Sequence, residues 1–159
     1  MENKYCYFMG NKYLLTIEID EQATKPVVRK ESNQMIYTGK QCTETLLANA
    51  LKSFYIKEAR KSIKQRLTLY QPQIKVKYKS FTIESHVNKW GTCNANRELT
   101  FDWRLMLFPI EAIDYVVVHE MCHLIHLNHD RSFWRLVGKL CPNYKEIMPL
   151  LGTSKTRDL

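Results

Sequence analysis

His119-Glu120-Met121-Cys122-His123-Leu124-Ile125-His126-Leu127-Asn128-His129 is the stretch on which the reading of this chain turns. On an α-helix, residues four apart lie about 40° apart around the axis, so the imidazoles of His119 and His123 can meet one cation. Glu120, about 100° from His119, can address a water beside that cation without replacing it as a ligand. Imidazole nitrogens are borderline donors that suit zinc, so the pattern implies one Zn2+ ion. Two histidines four apart can also be incidental, and the residues that follow weigh against that reading. His129 comes six positions after His123 and supplies a third ligand, which leaves a fourth coordination position open for chemistry. His126, back on the face of His119, and Glu146, a carboxylate from a later segment, are the alternative third ligands.

For His129 to join the centre, the helix has to end soon after Leu127 and the chain has to turn, with Asn128 as a candidate left-handed residue. The helix begins at Pro109, which is favoured in a first turn, and Glu111 complements its N-terminal dipole. Val116-Val117-Val118 has strand propensity, but the ligand spacing and the proline decide for helix. A last helix from about Ser132 to Leu140 takes Asp130 as its cap and buries Phe133, Val137 and Leu140, ending before Pro142. The tail beyond Leu151 is polar.

Around the metal motif, several residues have both a functional and an ordinary reading. Asp102, Asp114 and Asp130 could orient a ligand imidazole, or serve as cap and surface residues. Tyr144 could offer its hydroxyl to a tetrahedral oxyanion, or simply pack. His126 could line the cleft or close the helix end, and Cys122 reads as inert buried filler.

Upstream, Tyr5 to Met9 and Lys12 to Ile19 read as a hairpin around Gly10-Asn11, with Tyr13, Leu15, Ile17 and Ile19 on one face. A short strand near Val27-Val28 and a turn at Thr38-Gly39 follow. Residues 43–68 read as a long helix capped by Thr43, with Leu47, Ala50, Leu51, Phe54, Ile56, Ala59, Ile63 and Leu67 in a broad apolar stripe. Ile74 to Lys79 alternates perfectly and predicts a strand with one basic face. A strand over Phe81 to Val87, a turn over Gly91 to Asn96, and a strand over Leu99 to Arg104 complete the order.

Composition sets outer bounds. The 159 residues suit one domain over 1–159, with a metal-binding core over 74–150. Apolar residues make up 45% and charged residues 25%, which disfavours disorder. The sequence has no membrane-length apolar run and no signal-peptide block at its start, so the expected location is cytoplasmic. Five irregularly spaced cysteines read as reduced thiols.

The formal charge is +8, and its placement is uneven. Between Lys52 and Lys89 ten basic residues face only Glu58 and Glu84. This surface can be a solvated basic face, or one that attracts nucleic acid or another polyanion. A metal-stabilised binding module using that surface is therefore the alternative to a hydrolase. Glu120 argues for the hydrolase, because ligation alone does not require it.

Lys89-Trp90-Gly91-Thr92-Cys93, Leu99-Thr100-Phe101-Asp102-Trp103-Arg104-Leu105, Pro109, Ile113 to Glu120, His123-Leu124, Asn128-His129 and Phe133-Trp134 together resemble the YgjP-like metallopeptidase domain family. The likeness is specific over residues 74–150 and extends back to the Tyr13 strand. It implies an α+β, zincin-like domain with a small mixed or antiparallel sheet packed on a long helix and the metal-binding helix. It also implies zinc held by His119, His123 and His129, Glu120 as base, and a peptide or protein substrate. The Trp90 to Cys93 segment is implied to lie beside the cleft, where Trp90 reads equally as core anchor or substrate contact. Thr92 stands where many relatives carry serine. Relatives commonly carry more β-rich sequence ahead of this region, so a short form or a fragment is expected.

Overall fold

A computed structural model of the chain describes residues 3–86 and 88–152. Val87, at the end of one expected strand, and the tail from residue 153 lie outside the described residues.

The fold is α+β, with two small mixed sheets rather than one among the described residues. Strands β1 (Tyr5–Phe8) and β2 (Asn11–Ile19) form the expected hairpin. Its turn falls at Met9-Gly10, one residue earlier than Gly10-Asn11, because Phe8 pairs with Asn11. Both turn residues have positive φ, 49° and 82°, as a two-residue hairpin turn with the proper twist requires. The Met9 and Gly10 amides donate to the carbonyls of Met106 and Leu107, at 2.7 and 3.1 Å, which ties the hairpin tip to the chain just ahead of the metal helix.

β3 (Val27–Glu31) pairs with β4 (Gln34–Gly39), and β4 runs parallel to β2, giving the order β1-β2-β4-β3. The expected turn at Thr38-Gly39 is thus the end of a strand. Met35-Ile36-Tyr37 is buried throughout, so the two-residue alternation that marks a half-exposed strand is missing.

Helix α1 (Glu44–Tyr70) is capped by Thr43, whose hydroxyl accepts from the Leu46 amide. It packs its first turns on this sheet through Ala50, and later turns into the main core through Tyr55, Ala59, Ile63 and Leu67. Tyr55, which is fully buried and stacks on Trp103, belongs to this inner face although it was outside the expected stripe.

Residues 74–79 do alternate between inside and outside, yet they form no strand. Side chains hold much of their backbone instead, and the Lys79 amide donates to the Arg97 carbonyl at 2.8 Å. The Gln71 amide donates to the Ile74 and Val76 carbonyls, and Arg97 donates to the Lys77 carbonyl. Period-two burial reports which way side chains point; it does not report what the backbone pairs with.

The second sheet has the order β5-β7-β6, from β5 (Ser80–Glu84), β6 (Gly91–Cys93) and β7 (Glu98–Asp102). β5 runs parallel and β6 antiparallel to β7. Gly91 to Cys93, expected as a turn, is therefore an edge strand.

A 3-10 turn over Trp103–Leu107 leads into α2 (Ile110–Cys122), which follows Pro109 as expected. α2 is buried nearly all round, so its three valines sit in the core as helix. Arg66 of α1 makes a two-pronged ion pair with Asp114 of α2, one prong at 2.7 Å, which couples the long helix to the metal helix. Asp130 caps α3 (Arg131–Leu140) by accepting from the Phe133 amide, and Phe133, Val137 and Leu140 are buried as the spacing required. A single helical turn, α4 (Tyr144–Ile147), follows. Among the described residues no helix is long and apolar enough to cross a membrane.

Candidate metal centre

α2 ends at Cys122, earlier than expected. The His123 and Leu124 amides bond three residues back, to Glu120 and Met121, so the last turn tightens before the chain leaves the axis. Asn128 does not adopt positive φ; the exit is made by this tightened turn and the loop after it. The loop brings His129 back over α2.

His119, His123 and His129 each offer a ring nitrogen, and these atoms lie within 4.8 Å of one another. Two contacts set the tautomers. His123 Nδ1 lies 3.0 Å from the His126 carbonyl, which can only accept, so Nδ1 carries the proton and Nε2 keeps its lone pair. His119 Nδ1 likewise donates to Glu120 Oε1 at 2.9 Å, which frees its Nε2. His123 Nε2 is 3.1 Å from His129 Nε2. Two nitrogens held tetrahedrally at zinc distances sit about 3.3 Å apart, so the donor set fits one Zn2+ ion. Partial burial, and the proximity of His119 and then His123, push the pKa of His129 below the ordinary imidazole value, despite an opposing effect of Glu120. The neutral form, the one that can ligate, is favoured.

Phe133 supports the three rings from beneath. It is fully buried, stacks on His123 at 4.5 Å between centroids, and meets His119 and His129 edge-on at 5.0 and 4.9 Å. Its helical spacing marked it as core; its position under the imidazoles depends on how α3 packs on α2.

Glu120 is almost wholly buried at 4% exposure, and its Oε2 has no hydrogen-bond partner among the described residues. A buried carboxylate oxygen without a donor is costly unless function uses it. The sheet comes close to this side chain at Gly91, where an added Cβ would lie 2.9 Å from Glu120 Cγ and 3.1 Å from the Thr100 carbonyl. Gly91 is thus required by close approach to the Glu120 side-chain stem and the Thr100 carbonyl, not by a turn. Gly91→Ala is expected to displace Glu120 by a few tenths of an ångström or more and to lower kcat at least about tenfold. Zinc content should be unchanged, so parallel turnover and metal assays check the prediction.

A cleft of about 460 Å³ opens over the cluster. Gly91, Thr92 and Cys93 of β6 form one wall, and Tyr115 and Val116 of α2 face it, with Trp90, Leu127 and Leu151 completing an apolar lining and Lys89 as a cation. Trp90 lines the cleft while also anchoring it, since its indole packs edge-on against Phe108 and donates to the Leu151 carbonyl at 3.1 Å. Tyr115 was missed by sequence reasoning, although it precedes His119 by one helical turn and so shares its face. Burial, with Glu120 nearby, holds its hydroxyl protonated up to about 12.

The remaining candidates lie elsewhere. Tyr144 stacks on Trp134 at 5.3 Å, outside the cleft lining, and Trp134 in turn stacks on His129. His126 contributes its carbonyl to His123, while its ring stays outside the three-histidine cluster. Glu146 is exposed on α4, also apart from that cluster. Cys122 is fully buried, and burial pushes its thiol up to about 12, as befits inert filler. None of the three aspartates reaches a ligand imidazole. Asp102 accepts from the His86 and Arg104 amides and pairs with the Arg104 guanidinium, Asp114 holds Arg66, and Asp130 caps α3.

Three imidazoles converging on one point of a helix, with a buried glutamate beside them and an open cleft above, define a zinc-dependent metallopeptidase of the zincin type. The chain belongs to the YgjP-like metallopeptidase domain family, whose model matches residues 1–153. Among solved structures it is similar to the metallopeptidase zymogen of Pyrococcus abyssi abylysin, at 22% identity and a TM-score of 0.52, over 56% of this chain and 90% of that one. That likeness speaks to the fold. No curated protein matches the chain by sequence.

Proposed function

We propose that residues 1–159 form one catalytic domain that cleaves extended polypeptide laid along β6, with His119, His123 and His129 as zinc ligands and Glu120 as general base. The observation that carries this reading is the buried, partnerless Oε2 of Glu120 beside the three converging nitrogens. Bound there, zinc would polarise a carbonyl and lower the pKa of water. Glu120 Oε2 accepts a proton from the water that attacks the scissile carbonyl, and returns it to the leaving amine nitrogen. Its Oε1 stays on His119 Nδ1, which fixes both side chains through the transfer.

Among the described residues β6 pairs with β7 along one edge only, and all three of its residues line the cleft. An extended substrate can add there as a further strand through main-chain hydrogen bonds that ignore side-chain identity. Selectivity then falls to the apolar walls from Trp90, Tyr115, Val116, Leu127 and Leu151, which favour an apolar side chain next to the cleaved bond. All five cysteines are free thiols, which supports a reducing compartment such as the cytoplasm.

The test is cleavage of a proteome-derived peptide library by zinc-loaded protein, with new termini read by mass spectrometry. Cuts beside bulky apolar residues are expected, and they should vanish on chelation. No cleavage by the metal-loaded protein, or cuts indifferent to flanking side chains, would overturn the reading.

A further inference from the structure

The surface opposite the buried side of α1 changes character along the helix. Ala50, Lys57, Lys61, Lys64 and Thr68 recur at intervals of seven, four, three and four, so they lie within about 60° of one another on one face. At Ala50 that face is buried against Cys6, Val28, Met35 and Tyr37 of the first sheet. From Lys57 onward the lysines on it are exposed, and among the described residues none of the three has an ion-pair partner. They form a stripe about 10.5 Å long.

The stripe runs into a second cavity. Thr68, next on the same face, lines a pocket of about 400 Å³ with Gln71, Pro72, Ile74, Lys75, Lys77 and Tyr78. Its floor is built and held, because Gln71 spans the Ile74 and Val76 carbonyls with its amide and approaches the Tyr78 backbone with its side-chain oxygen. Lys75 and Lys77 are exposed at the pocket, and Tyr78 is half-buried there, packed edge-on against Phe81. A row of lysines thus ends at an apolar pocket with a tyrosine ring and two more lysines.

We infer that this face is a binding site for single-stranded nucleic acid, with phosphates along Lys57, Lys61 and Lys64 and a base in the pocket against Tyr78. The combination matches single-strand recognition, in which a cationic track follows the backbone and an aromatic side chain takes the face of an unpaired base. A duplex keeps its bases stacked and cannot fill the pocket. Neither aspartate and glutamate side chains nor phosphatidylserine head groups pair each negative charge with a flat ring, as every nucleotide of a single strand does. The site rests on neither the metal nor the cleft.

Fluorescence anisotropy with labelled dT20 and the 159-residue chain tests the inference. Phosphate contacts from Lys57, Lys61 and Lys64 together with Lys75 and Lys77 at the pocket give a salt slope near −3.5, so affinity should fall about 100-fold between 50 and 200 mM salt. Lys57→Glu, Lys61→Glu and Lys64→Glu combined should reduce binding at least about 100-fold and flatten that slope. The same charge change at exposed Lys4, Lys25 and Lys40 should cost only a few-fold. Tyr78→Leu, which keeps apolar volume for the Phe81 contact, should weaken dT20 binding about tenfold. Circular dichroism and thermal melting confirm that each variant is folded. Equal affinity for duplex DNA, poly-glutamate or phosphatidylserine vesicles would overturn the inference. So would equal losses in the two triple variants.

Discussion

Glu120→Gln is expected to leave zinc bound at one equivalent while peptide hydrolysis falls by about 10³-fold or more. Glutamine has the same length and volume, so it preserves the tight approach of Gly91 to the side chain. Its amide oxygen can still accept from His119 Nδ1, which keeps that imidazole oriented. What the substitution removes is proton-accepting capacity at the buried Oε2 position. General-base catalysis of this kind contributes about 10² to 10⁴ in rate, and little residual hydrolysis is expected without it. The measurements are kcat/KM on a peptide identified in the library and zinc by atomic absorption. Turnover within tenfold of wild type would remove Glu120 from the chemistry. Loss of zinc would instead assign it to holding the site together.

His123→Ala is expected to abolish stoichiometric zinc binding and activity together. The His123 imidazole is held at three points, with Nδ1 on the His126 carbonyl, Nε2 beside His129, and its ring stacked on Phe133. Its removal leaves two ligands, too few for a closed site. His126→Ala provides the contrast, since the contribution of His126 is a main-chain carbonyl that alanine retains. That variant should keep both metal and turnover. The distinction also appears in thermal melts. A metal present at 100 times its Kd stabilises the folded state by about 2.7 kcal/mol. Chelation should therefore lower the Tm of the wild type and His126→Ala, and leave that of His123→Ala unmoved. Full zinc occupancy in His123→Ala would show that the ligand set is not His119, His123 and His129.

Local features were legible in the chain itself. The two histidines four apart, the glutamate between them, Pro109 ahead of α2, and the caps at Thr43 and Asp130 all act over distances of one or two helical turns. Their geometry follows from residue spacing alone, and His129 could be nominated because its histidine chemistry narrows the choice. The buried ridge of α3 was readable for the same reason, although its closeness to the imidazoles was not.

Where the reading failed, the deciding contact came from outside the segment being read. Residues 74–79 alternate like a strand, but Gln71 and Arg97 take up their backbone groups. Met35 to Tyr37 becomes a strand because β2 and β3 flank it, and Gly91 to Cys93 because β7 does. Asp114 looked available to an imidazole until Arg66, on the opposite helix, claimed it.

The sequence by itself thus determined the metal motif at His119, Glu120 and His123, the helix that carries it and the zinc chemistry those donors suit, because helical periodicity places them without reference to the rest of the molecule. Only the tertiary structure decided that Phe133 lies beneath all three imidazoles, that His126 acts through its carbonyl, and that Gly91 brings an edge strand against Glu120. The first and third depend on packing between segments distant in sequence, and the second on the path of the loop after α2, none of which residue spacing encodes.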